Sequence, residues 1–161
     1  IPMVKEKLTI PVIAAGGIAT GRGMLAAMVL GANGVQIGSR FVTSSESSAH
    51  INFKEEVIKA QDGDTHLTLK ELAPVRLIKN RFYNELQDLY RENASVDQLK
   101  EKLGRGRSKK GMFEGDLEDG ELEIGQIAGL IHEIKPAAEI VSEIVNEFNE
   151  VSAQLQFWKL K

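Results

Sequence analysis

The chain has 161 residues, twenty basic against twenty-three acidic side chains for a net charge of −3, and no cysteine. So even a balance gives no general reason to expect a nucleic-acid partner, and the missing thiols exclude disulfides, thiolate metal ligands and a cysteine nucleophile. No run approaches the ~18 apolar residues of a membrane span, so the default expectation is a soluble, cytoplasmic protein.

Residues 1–9 read as the end of a helix and a loop, with Lys5, Glu6 and Lys7 solvated. Ile10-Pro-Val-Ile-Ala-Ala-Gly-Gly-Ile-Ala-Thr-Gly-Arg-Gly23 then reads as strand, glycine loop and helix start. Val12 to Ala15 is a short apolar run closed by glycine; Thr20 is an N-cap, and Met24, Leu25, Met28 and Leu30 follow at helical spacing. Gly31 and Gly34 bracket the turn into a second apolar run, Val35 to Ile37, closed by Gly38. Strand, helix and strand in this order predict a parallel pair. Each strand ends in glycine, so two sets of backbone N–H groups reach one sheet edge, where a phosphate can be held. At the carboxyl face of a (β/α)8 barrel, the last two βα loops and a short extra helix commonly form such a site. Gly16 and Gly17 form the first loop here; Gly38 and Ser39 form the second, with Ser39 adding a hydroxyl donor and opening the short helix. The alternative is two tight turns whose glycines only solve backbone geometry. Gln36 either faces a barrel interior or satisfies neighbouring backbone.

The polar stretch Val42 to Ser48 leads into an amphipathic helix over about residues 47–60, carried by Phe53, Val57 and Ala60, with His50 in its first turn. Asp62-Gly-Asp64 is a turn, and Thr65 to Leu69 alternates like a half-buried edge strand with His66 on its exposed polar side. Pro74 opens an extended segment to Asn80 that passes into a helix over about 80–92; Arg76 and Lys79 either meet an anionic ligand or are solvated. Ser95-Val-Asp-Gln98 has capping-box spacing. Gly104-Arg-Gly-Arg-Ser-Lys-Lys-Gly111 is a basic loop with three readings: a seat for nucleotide or pantetheine phosphates, a docking patch for an acidic carrier protein, or a solvated loop. The acidic run Glu114 to Glu123 fails the calcium-loop template. Counted from Asp116, the positions that need glycine and glutamate hold Glu121 and Ile127, so no metal is expected. Gly125 to Gly129 permits close backbone approach. Pro136 starts the last helix, with Ile140, Val141, Ile144, Val145, Phe148, Val151 and Leu155 in one apolar stripe ended by Phe157 and Trp158. That stripe packs on its own domain or on a second copy.

Ala14-Ala-Gly-Gly-Ile-Ala-Thr-Gly-Arg-Gly23 with Gly34-Val-Gln-Ile-Gly-Ser-Arg-Phe41 resembles the FMN-binding end of the barrel in the nitronate monooxygenase family, formerly the 2-nitropropane dioxygenases, which includes the flavin-dependent type II enoyl-acyl-carrier-protein reductases. Ser48-Ala-His50, Pro74 to Asn80, Glu114-Gly-Asp116 and Gly125 to Leu130 extend the likeness over nearly the whole chain. It implies an α/β fold that is the C-terminal portion of a TIM (β/α)8 barrel. The last two βα units occupy residues 1–46, and a mainly helical region, residues 47–161, packs on the barrel. A whole barrel needs roughly 250 residues, and the chain begins at Ile1, so the expectation is the C-terminal half of an enzyme; a complete small α/β domain is the alternative.

The implied cofactor is FMN, bound by Gly16, Gly17, Gln36, Ile37, Gly38 and Ser39. The family's catalytic histidine sits on an earlier barrel loop, so none of His50, His66 and His132 matches it and no catalytic residue is expected here. His50 and Gln126, the latter near the family's active-site mouth, are further site candidates. In the enoyl reductases NAD(P)H reduces the flavin, which passes hydride to a 2-enoyl thioester in fatty acid synthesis; in the monooxygenases an alkyl nitronate reduces it and oxygen follows. Pro74 through Gly111 to Leu130 looks more like the reductases. That gives a small-molecule or acyl-carrier-bound substrate, no nucleic-acid or membrane partner, and a homodimer. Nitronate oxidation is one alternative, and a non-catalytic phosphate-binding or interaction module is another.

Overall fold

The computed structural model describes residues 1–155. In chain order it contains α1 (Pro2–Lys7), β1 (Ile13–Ala15), α2 (Gly21–Val29), β2 (Gly34–Gln36), α3 (Ser39–Val42), α4 (Ile51–Lys59), β3 (Thr65–Thr68), β4 (Val75–Ile78), α5 (Arg81–Arg91), α6 (Val96–Leu103), α7 (Arg107–Met112), a 3-10 turn (Gln126–Leu130) and α8 (Ala137–Leu155). Two compact units result: Ile1–Glu46 together with the chain from Lys135, and Ser47–Ile134. The last helix thus clusters with the first unit, whereas the expected 47–161 region included it. Among the described residues no helix is long and apolar enough to cross a membrane.

In the first unit β1 and β2 pair in parallel, Ile13 against Gly34 and Ala15 against Gln36, as strand–helix–strand order requires. β1 starts one residue inside the apolar run and ends with it, β2 lies one residue ahead of its run, and Asn33 engages Val12 from both sides. Its Oδ1 accepts from the Val12 N–H at 3.0 Å, and its own N–H donates to the Val12 carbonyl at 2.7 Å. Thr20 caps α2, its hydroxyl oxygen accepting from the Gly23 N–H at 3.1 Å. Only small side chains fit between α2 and the sheet: Ala14, Ala27 and Ala32 form the buried cluster, with Ile18 and Val35 packed on it.

The long apolar stripe of α8 divides in two. Ile140 and Ile144 are buried, whereas Val141 and Val145, about 100° further round the helix, are 49% and 44% exposed. Pro136 precedes α8, its carbonyl accepting from the Glu139 and Ile140 N–H groups. Phe157 and Trp158 lie outside the described residues.

The second unit is built on an antiparallel pair, Thr65 against Ile78 through Thr68 against Val75. Residues 122–124 extend it, with the Ile78 N–H donating to Leu122 and the Ile124 N–H to Arg76. Leu69, Leu77, Phe82, Leu86 and Leu99 are its buried core. Asn80 stops β4 and starts α5: its Oδ1 accepts from the Tyr83 N–H at 2.9 Å while its amide donates to the Leu117 and Gly120 carbonyls. The capping box at Ser95 and Gln98 forms with both bonds present.

Two expectations for this unit need correction. Thr65 and Thr68, three apart and so on opposite faces of β3, are both buried, while Leu67 is 47% exposed; the strand does not alternate between a buried and an exposed face. His66 is accordingly not exposed: its ring lies 5.5 Å from that of Tyr83 and its Nε2 is buried. The second correction concerns the basic loop, which from Arg107 onward is helical as part of α7. Gly111 and Gly120 make that possible, because a Cβ at Gly120 would lie 2.1 Å from the Gly111 Cα.

Candidate functional site

Because Ala15 and Gln36 are paired, the chain leaves β1 and β2 at the same edge of the sheet. Gly16 and Gly17 follow one strand; Ile37, Gly38 and Ser39 follow the other. The backbone itself demands glycine in the first loop, with φ of +90° at Gly16 and +69° at Gly17. Gly38 has an ordinary φ of −106° and so is not explained by backbone geometry. A Cβ built at Gly16, Gly17 or Gly38 would meet no atom within 4 Å. Both loops therefore border open space along one edge, a cradle that side chains would otherwise fill, and this arrangement fits a phosphate group.

All six residues expected to bind a cofactor fall on this edge. Gln36 is exposed, which removes the reading of a buried amide serving neighbouring backbone. Arg40, one residue past Ser39, is not available to an anion there. Its guanidinium is buried, donating to the Thr43 hydroxyl at 3.3 Å and to the Glu143 carboxylate at 3.5 Å. The N-terminus of α2 is also committed within the protein, since the Gly21 N–H donates to Glu147 at 2.7 Å. The groups these bonds leave at this edge are the backbone amides of the two loops.

The remaining candidates lie in the second unit and have structural partners. His50 caps α4, its Nδ1 accepting from the Asn52 N–H at 3.1 Å, and its ring fills the space a side chain at Gly115 would need. Arg76 donates to the Thr65 carbonyl at 2.6 Å. Gln126 opens the 3-10 turn, and Gly129 brings that turn against the backbone of Gln61 and Asp62. His132 and Lys79 are exposed.

The basic segment is largely consumed by its own neighbourhood. Arg107 donates to the carbonyls of Leu103, Asp119 and Lys102 at 2.7–2.9 Å and lies 4.3 Å over the Phe82 ring, closing the end of α6. Lys109 pairs with Glu114, and Lys110 with Asp116 and Asp119. The acidic run supplies these partners. Asp116 accepts from the Asp119 and Glu118 N–H groups, and these bonds together with Lys110 bring its carboxyl down to about 2. Glu121 is raised instead, by burial, although Ser108 hydrogen-bonds to it. No sequence pattern marks Glu121 as buried; its contact with Ser108 forms only once α7 is in place.

The nitronate monooxygenase family model matches residues 1–147. A probable nitronate monooxygenase of Staphylococcus aureus is 36% identical over 152 residues, which is 94% of this chain and 42% of that protein. Among solved structures, FabK from Thermotoga maritima superposes with a TM-score of 0.88 at 44% identity, over 96% of this chain and 49% of its own. The nitroalkane oxidase of Streptomyces ansochromogenes superposes with a TM-score of 0.73 at 29% identity, over 96% and 44%. The chain thus spans less than half the length of each.

Proposed function

The chain belongs to the nitronate monooxygenase family, and from that premise we propose that it is part of a cytoplasmic FMN-dependent oxidoreductase in which β1 and β2 are the last two strands of a (β/α)8 barrel. The observation that carries this reading is the pair of glycine loops at one edge of a parallel sheet, with open space where side chains would stand. Backbone N–H groups of Gly16, Gly17 and Gly38, with the Ser39 hydroxyl, hold the FMN phosphate. Gln36 and Ile37, leading into the second loop, complete the cofactor contacts. FMN, when bound, supplies the electron-transfer chemistry. The chain's part is to fix the phosphate and so orient the rest of the cofactor. The acid–base residue belongs to the barrel's earlier loops.

The resemblance of Pro74 to Gly111 and of Gly125 to Leu130 favours a type II enoyl-acyl-carrier-protein reductase, with NAD(P)H as electron donor and a 2-enoyl thioester as acceptor. Nitronate oxidation is the second reading, favoured by the family description itself. The intact protein, purified with its flavin, decides between them. NADH or NADPH oxidation is expected to be faster with a 2-enoyl thioester than under oxygen alone, and addition of an alkyl nitronate should do less. High kcat/KM on propyl-2-nitronate with negligible enoyl reduction would reverse the order.

A further inference from the structure

The two helices that follow the glycine loops are both tied to α8, and through carboxylates one turn apart. Glu147 accepts from the Gly21 N–H, the first of α2, at 2.7 Å and lies 3.2 Å from the Arg22 guanidinium. Arg22 offsets the carboxylate's charge beside a loop suited to an anion. Glu143 meets the buried Arg40 of α3 at 3.5 Å and Lys135 at 2.5 Å. Residues at i and i+4 share one helix face, so a single face of α8 holds the element after Gly17 and the element after Gly38.

Backbone contacts make this attachment stiff. A Cβ at Gly21 would lie 2.3 Å from the Phe148 nitrogen and 2.4 Å from the Ile144 carbonyl oxygen, so α2 meets α8 backbone to backbone at its first residue. On the other side, the Ser45 N–H donates to the Lys135 carbonyl at 2.9 Å and the Ala137 N–H donates to Glu46 at 2.9 Å. These bonds staple the first turn of α8 to the segment just after α3. Neither α2 nor the segment from α3 to Glu46 can shift against α8 without breaking one of these ties.

We infer that α8 is a brace that sets the spacing of the two phosphate loops, with Glu143 and Glu147 as positioning residues for the anion they hold. The inference rests on the phosphate-site reading above. It assigns the last helix, remote in sequence from both loops, a role in cofactor selectivity that packing alone would not require. A brace acts on phosphate geometry, so its loss weakens FMN while leaving riboflavin, which lacks the phosphate, nearly unaffected. General unfolding weakens both.

The test is the ratio of riboflavin to FMN Kd, measured by fluorescence titration of the intact apoprotein. Replacing Glu143 and Glu147 together by Ala is expected to lower the ratio about tenfold, the scale of a lost helix cap. Glu147→Ala alone should lower it less, which keeps the test usable if the double variant does not fold. Glu147→Gln retains an acceptor for Gly21 and should restore most of the ratio. An unchanged ratio in variants that still prefer FMN would overturn the brace and leave the phosphate site standing. An unsubstituted protein with equal affinity for both ligands would overturn the phosphate site, and the brace with it.

Discussion

Gly38 separates the two explanations of the glycine loops. At Gly16 and Gly17 a positive φ is reason enough for glycine. At Gly38 φ is −106° and a Cβ would meet nothing within 4 Å, so neither backbone strain nor crowding calls for glycine there. The proposed phosphate site would, because the anion has to approach the backbone there. Gly38→Asp should therefore leave the apoprotein's stability within about 0.5 kcal/mol, as at an uncrowded surface site. FMN affinity should fall by about two orders of magnitude, since a carboxylate ~6 Å from one phosphate charge costs about 3 kcal/mol at an effective dielectric of 20. Equilibrium unfolding and flavin titration on the same preparation check both parts. Adding Gly17→Asp should abolish retention outright. Full flavin occupancy in the double variant would remove these loops as the phosphate site.

Among the elements of the second unit, α7 and the turn after it show how a basic run and an acidic run answer one another. Asp116 accepts from two backbone N–H groups at 2.9 and 2.8 Å and pairs with Lys110 of α7 at 2.9 Å. Its folded carboxyl titrates at about 2, below its ordinary value of 3.8. An acid depressed on folding contributes stability that is fully present above its unfolded pKa and is lost as pH falls through the folded one. Asp116→Asn is thus expected to destabilise at pH 6 and to cost progressively less from about pH 4 down to about pH 2. Urea midpoints across that range for both proteins measure the difference; a cost independent of pH would assign the turn to hydrogen bonding alone. Arg107 belongs to the same element, its guanidinium engaged by three carbonyls and the Phe82 ring.

At the scale of the whole chain, the first unit leaves much apolar surface uncovered. Met3 is 81% exposed, Val29 70%, Ile10 61%, Ile13 54% and Leu30 51%. Its sheet has two strands, too few to bury a parallel pair on both faces. Exposed apolar side chains beside open strand edges favour association. The 161-residue polypeptide expressed by itself should therefore show an apparent mass that rises with concentration in light scattering. It should also bind FMN weakly, because the phosphate loops alone contact one end of the cofactor. A monodisperse monomer with tight FMN binding would show these surfaces to be harmless and the site complete.

The amino-acid sequence alone determined the strand–helix–strand unit, its parallel pairing, the two glycine loops and the caps at Thr20 and Ser95. Each depends on residues within a few positions of one another, where steric and hydrogen-bonding preferences act directly. It also carried enough of the family pattern to imply the cofactor. Only the tertiary structure decided where the unused charges go. Arg40 and Glu143 are 103 residues apart and Gly21 and Glu147 are 126 apart, separations over which no periodicity or capping rule operates. The burial of Thr65 and Thr68, the helix made from the basic loop and the attachment of α8 to the first unit have the same origin. In each, the environment that selects one face or partner is assembled from distant segments, and local propensity yields to it.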